Sequence, residues 1–251
     1  MSFQSPGGEA GGSFGGLGPR QPTEAAEAFG RSDAGVHYLR QVMAWMFLGL
    51  AITTGIAIYF SAATDVVDYL NDNPFILFVL FGLQLALVFG LSFGINKING
   101  AVAALMFCLY AALTGAVFAL ILQVYTTSSI VGAFAGAAGV FGGMALIGYT
   151  TKKDLSALGP ILFGALIGLI VASIVFMFVG GSTFNLIIGW AGVIIFAGLT
   201  AYDMQKIKQM GASNMGSADN VQKFAIFGAL ALYLDFINIF LFLLRIFGNS
   251  R

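Results

Sequence analysis

The sequence predicts an all-α polytopic membrane protein of seven transmembrane helices. Three observations predict it. Hydrophobic residues make up 59% of the 251 residues and charged residues only 9%, whereas soluble domains carry about 25% charged residues. Seven apolar runs follow one another, each near the ~20 residues that cross a bilayer. Lys and Arg fall almost entirely in alternate connections. The 34 glycines and 25 phenylalanines suit helices packed in lipid.

Residues 1–35 are a different material. They are rich in Gly, Ser, Pro and Glu and contain no apolar run, which predicts a disordered tail. No apolar core of a signal peptide precedes the first span, so that span is expected to act as its own insertion signal. Residues 36–251 form one transmembrane domain. Its spans are expected at about 39–61, 74–95, 100–123, 129–150, 159–181, 184–206 and 222–247. Short connections such as NKIN and GGST force neighbouring spans to run antiparallel. Pro160 stands where a helix tolerates proline, in the first turn of span five. The pairs Gly132/Gly136, Gly139/Gly143 and Gly164/Gly168 predict close approach of spans four and five to neighbours.

Orientation follows from the basic residues. Arg20, Arg31, Arg40, Lys97, Lys152, Lys153, Lys206, Lys208 and Lys223 fall at one end of the expected bundle. Arg245 and Arg251 fall at the other, and the first loop carries Asp65, Asp68 and Asp72 instead. The expectation is a cytoplasmic N-terminus and an outside C-terminus. A zero formal net charge offers no field for nucleic acid. The single cysteine, Cys108, excludes an internal disulfide and reads as a structural thiol.

Two aspartates break the apolar pattern. Asp203 lies in AYDMQKIK near the end of span six, and Asp235 lies in ALYLDFIN within span seven. An aspartate at a span centre costs about 2.5–3.5 kcal/mol on insertion scales, so each needs a partner, a cation or a proton path. Asp203 reads either as an interfacial residue paired with Lys206 at i+3 or as half of a site. Asp235 lies twelve residues beyond Lys223, about 18 Å along a helix, near mid-membrane. It reads either as a hydrogen-bonded core residue near Tyr233, Asn238 and Gln222 or as a proton or cation site. Two carboxylates that met inside the bundle would share a proton, because like charges repel strongly at low dielectric. Carboxylate oxygens also suit calcium. Lys97, just past span two, reads as a membrane anchor or as a basic partner for the pair.

Other chemistry is not legible. His37, the sole histidine, precedes the first span. Intramembrane aspartyl proteases carry Gly-x-Gly-Asp at the second aspartate, and here Leu232-Tyr233-Leu234 precedes Asp235. No nucleophile elbow or phosphate loop occurs. The chain is therefore not expected to be an enzyme, nor to hold a cofactor.

Four stretches carry a resemblance: LYAALTGAVFALILQVY at 109–125, GYTTKKDLSALGPILFGALIGLIVASI at 148–174, AYDMQKIK at 201–208 and ALYLDFINIFLFLLRIFG at 231–248. They resemble the Bax inhibitor-1, or transmembrane Bax-inhibitor-motif, family, and within it the bacterial members. The resemblance covers roughly 36–248. It implies a seven-helix fold with the last helix central, wrapped by the other six. It also implies a pH-sensitive calcium leak across a bacterial inner membrane, with an aspartate dyad matching Asp203 and Asp235. Those two would form the proton and cation site, with Lys97 as basic partner where a bacterial relative has arginine. Some relatives carry an acidic residue in span two, where this chain has Gln84. Others modulate a membrane-bound AAA protease, the alternative reading for this chain, with the tail as the interaction segment in a stress response.

Overall fold

The computed structural model describes residues 28–30, 32–63, 68–70, 72–179, 182–213 and 216–249. Residues 1–27 and Arg31 of the expected tail lie outside the described residues, as do Asp65 and Arg251. Seven helices long and apolar enough to cross a membrane carry the fold. They are α1 (Asp33–Ala62), α2 (Pro74–Gly94), α3 (Gly100–Val124), α4 (Thr127–Thr150), α5 (Leu158–Val179), α6 (Ser182–Ser213) and α7 (Ala218–Phe247).

The helix starts are written locally. Ser32, Asn99, Thr126 and Ser217 are N-caps whose side-chain oxygens accept from Gly35, Val102, Ser129 and Asn220 backbone N–H groups. Such caps satisfy donors that the first helical turn leaves unpaired. Pro74 opens α2, and Pro160 stands in the first turn of α5. Asp219 of α7 also accepts from the Gly100 backbone N–H at 2.8 Å, which ties the starts of α3 and α7 together.

The last helix is the centre. Two-thirds (67%) of the most apolar stretch of α7 is buried, against 6% for α2. Broad contact with α7 comes from α1, α3, α4 and α6. The other two helices stand further out, α2 against α3 and α5 against α6. Their outward faces carry exposed Phe75, Phe78, Phe93, Ile161, Ile167 and Val171, the surface that lipid solvates without penalty.

Close packing falls elsewhere than the glycine pairs predict. A Cβ at Gly132, Gly139, Gly143, Gly164 or Gly168 would meet nothing within 4 Å, and only Gly136 finds a neighbour, Leu243 at 3.2 Å. Those stripes face outward. Glycines that do admit a neighbour include Gly49 against Phe107, Gly115 against the Thr53 carbonyl, Gly148 against Ala201 and Gly192 against Phe242. Spacing at i, i+4 marks a small-residue stripe, but which side of the helix meets a partner is a tertiary property.

Candidate functional site

The site is built by α6 and α7. Their register is set by close approaches: a Cβ at Gly192 would meet Phe242, and one at Gly228 would meet Ile207. Between those pairs, Thr200 stands beside the Asp235 carboxyl. Asp203 lies three residues further along α6, so the two aspartates are offset by about 4.5 Å of helical rise. They do not occupy the separate depths that their spans predict. The expected end of span six at 206 places Asp203 at its edge, but α6 runs on to Ser213. It stays helical because Gln205, Ile207 and Lys208 are buried against the bundle. Hydropathy reports lipid exposure, whereas helix length here is set by packing beyond the apolar segment.

Both carboxylates line one cavity of about 1080 Å³ between α2, α5, α6 and α7. Its wall is mostly Phe, Leu and Ile, with polar atoms from Gln84, Ser92, Tyr110, Tyr202, Lys206 and Asn238. Asp235 is 3% exposed, and its Oδ2 is buried without a hydrogen-bond partner. Thr200 hydrogen-bonds the carboxyl but leaves Oδ2 without a partner, and both nearby polar side chains also serve main-chain carbonyls. Thr200 Oγ1 donates to the Phe196 carbonyl at 2.8 Å, and Asn238 Nδ2 donates to the Leu234 carbonyl at 2.8 Å. An orphaned carboxylate oxygen at this depth costs about 1–3 kcal/mol or more, being charged. It is satisfied by a proton, a cation or water from the cavity.

The lysine at this site is Lys206. It lines the cavity, sits one turn after Asp203 and acts on it electrostatically. Its Nζ lies 5.7 Å from the Tyr202 ring centroid. Lys97, the expected basic partner, is exposed in the turn between α2 and α3 and does not line the cavity. Lys208 turns the other way, donating to the Tyr149 carbonyl at 2.6 Å.

Sequence reasoning also missed Gln205. Its Oε1 accepts from the Leu155 N–H at 2.8 Å, and its Nε2 donates to the Lys153 carbonyl at 2.9 Å. One buried amide thus holds the α4–α5 loop against α6, two residues from Asp203. Within that loop, the Ser156 hydroxyl and N–H hold the exposed Asp154 carboxyl below its usual pKa. Replacing Gln205 with Leu removes both anchors and leaves two backbone groups unpaired. The expected result is faster limited proteolysis within 152–157, with a stability loss of about 1–3 kcal/mol.

A calcium ion takes six to eight oxygens. The two carboxylates share their cavity with neutral oxygens of Tyr110, Ser92 and Asn238. Among the described residues no cluster of three His, Cys, Asp or Glu side chains forms a closed metal cage.

A model of the family "Inhibitor of apoptosis-promoting Bax1" matches residues 36–251. The chain belongs to the Bax inhibitor-1 family. The match takes in all seven helices of this family member, and hence both aspartates. "Inner membrane protein YbhL" of Escherichia coli (strain K12) is 46% identical over 233 residues, covering 90% of this chain and 100% of that protein. An uncharacterized protein of Deinococcus radiodurans is 45% identical over 214 residues, 85% of this chain and 90% of its own. A further one from Borreliella burgdorferi is 39% identical over 214 residues, 85% of this chain and 92% of its own. The Bax inhibitor-1 family chain is thus a bacterial-type, multi-pass membrane protein with an acidic cavity in its bundle.

Proposed function

We propose that the protein is a pH-sensitive cation leak of the bacterial inner membrane, with calcium as cargo and Asp203 and Asp235 as its proton-sharing gate. One observation carries the reading: both carboxylates line a single cavity, and Asp235 Oδ2 is buried there without a partner. A buried anion with an unsatisfied oxygen binds whatever positive species reaches it. Protons and calcium therefore compete for the same oxygens. Protonation removes the repulsion between the carboxylates, and a divalent cation does the same by bridging them. Either event changes the packing of α6 against α7, which is the population shift that opens or closes the path. Lys206 serves as the basic partner, lowering the repulsion when the cation leaves. The expected orientation, N-terminus inside, puts Lys206 on the cytoplasmic side of the cavity.

The test is calcium flux into proteoliposomes as a function of pH. Wild type is expected to change flux between acidic and neutral pH. Asp203→Asn and Asp235→Asn each remove a charged ligand contact worth about 1.5–3 kcal/mol, or roughly ten- to hundredfold in flux, and flatten the pH profile. A wild-type profile that is already flat would overturn the reading.

A further inference from the structure

A second cavity of about 760 Å³ lies across α7 from the first, between α1, α3, α4 and α7. Thr53, Thr54, Ser61, Gln123 and Thr127 give it polar walls, and among the described residues no Asp, Glu, Lys, Arg or His lines it. The septum between the cavities is a layer of hydroxyl groups. Tyr233 of α7 is 0% exposed, and its hydroxyl lies 2.6 Å from Thr53 Oγ1. Thr53 Oγ1 donates its one proton to the Ala111 carbonyl at 2.9 Å, so Tyr233 is the donor in the pair. On the other side, Thr114 stands beside the hydroxyls of both Tyr233 and Tyr110. Gln84 Nε2 donates to Thr114 Oγ1 at 3.1 Å. Tyr110 and Gln84 line the aspartate cavity, and Thr53 lines the second one. Edge-on packing of the Tyr233 ring against Phe107 and Tyr110, at 5.8 Å each, fixes its direction.

Four hydroxyls in line between two cavities are unusual in an apolar bundle. A single buried hydroxyl is satisfied by its own i−4 carbonyl, as Thr200 is. Thr114 makes that i−4 bond too, to the Tyr110 carbonyl, but it also accepts from Gln84 and stands beside two tyrosine hydroxyls, and Tyr233 bonds Thr53 from one helix to another. We infer that Tyr110, Thr114, Tyr233 and Thr53 form a proton relay joining the aspartate cavity to the second cavity. The inference rests on the proposed site, since the carboxyl pair is the acid that feeds the relay. A proton passes through cavity water from the carboxyl pair to Tyr110. Each hydroxyl then accepts one proton and gives its own to the next oxygen, in the order Tyr110, Thr114, Tyr233, Thr53. Thr53 releases its proton to water in the second cavity. One O–H bond breaks and one forms at every oxygen, and nothing is oxidised or reduced. The step from Tyr233 to Thr53 already has the required orientation. Thr53 and Thr114 donate to the Ala111 and Tyr110 carbonyls, so each must rotate off its carbonyl for a proton to pass. That rotation makes the relay closed at rest. Charge passes through it only as protons, because no cation threads a hydrogen-bonded septum.

The experiment measures decay of an imposed proton gradient in proteoliposomes of full-length protein, with calcium flux read in parallel. Wild type is expected to dissipate the gradient faster than protein-free vesicles. Tyr233→Phe and Thr53→Val keep the shape and remove one oxygen, and each is expected to slow proton flux by about a hundredfold, the scale of one positioned proton-transfer group. Thr53→Ser retains the hydroxyl and is expected to keep wild-type proton flux, which separates the relay from packing. Proton flux in Tyr233→Phe equal to wild type overturns the relay, as does Thr53→Ser as slow as Thr53→Val. So does a wild type no faster than empty vesicles. Calcium flux that ignores pH sinks the leak reading instead, while the proton measurements still decide the relay.

Discussion

Replacing Asp235 with Leu is expected to abolish the pH response of calcium flux and at the same time to leave the fold as stable as wild type or more so. Leu has the same branching as Asp, and the cavity that Asp235 lines takes up its larger methyl groups. Asp235 sits 3% exposed on the central helix, with Oδ2 buried and unpartnered. A buried polar group in that condition costs about 1–3 kcal/mol, and replacing buried charge by apolar atoms of similar shape is often neutral or stabilising by about 1–4 kcal/mol. The functional loss is expected to be at least about tenfold, the equivalent of ~1.4 kcal/mol of lost cation interaction. Unfolding in detergent micelles and flux on the same preparation give the two numbers. A variant that loses flux and also loses several kcal/mol of stability would mean that Asp235 holds the bundle together rather than serving the cavity.

Gly148→Ala is expected to destabilise the transmembrane domain strongly for a single added methyl. Gly148 of α4 is pressed against α6: a Cβ there would run into the Ala201 carbonyl oxygen, with the Ala201 carbonyl carbon at 2.8 Å. The obstacle is backbone, which cannot rotate away as a side chain can. The two helices must separate, two residues from Asp203, and overpacking of this kind costs about 1–3 kcal/mol and sometimes more. Gly164→Ala is the matched control. A Cβ at Gly164 meets nothing within 4 Å, and Ala is favoured over Gly in a helix by about 1 kcal/mol. Equilibrium unfolding of both variants in micelles is the check. Equal destabilisation of the two would show that the α4–α6 contact does not govern stability.

Gly148 and Gly164 also mark where sequence reasoning stops. Both sit in apolar spans among other small residues, and nothing local distinguishes them. The i, i+4 pairs in α4 and α5 invite the expectation of close packing, yet they face outward, while Gly148 and Gly115, outside those pairs, carry it. A glycine permits approach but does not say from which direction a neighbour comes.

The aspartates divide in the same way. Their presence in apolar spans is an energetic anomaly that needs no structure to detect. Their depth is a different matter. A hydropathy window ends α6 at Lys206, because lysine leaves lipid there. The helix continues two turns because Gln205, Ile207 and Lys208 pack against other protein. That extension, with Gly192 and Gly228 setting the register against α7, brings Asp203 within one turn of Asp235. Lys206 replaces Lys97 beside the pair for the same reason: adjacency along one helix is readable, but which loop folds back over a cavity is not. The hydroxyl septum of Thr53, Thr114 and Tyr233 was hidden as well, since it joins side chains from three helices far apart in sequence.

What the amino-acid sequence determined by itself was the solvent of this protein, the number of its spans and the two residues that lipid would not tolerate alone. These follow from composition and apolar length, which act within each span. The tertiary structure alone decided that the two aspartates share a cavity, that Lys206 accompanies them and that hydroxyls from α1, α3 and α7 close the space behind. Those outcomes depend on helix register and rotation. Both are set by side-chain contacts between segments as far apart as Thr53 and Tyr233, 180 positions along the chain.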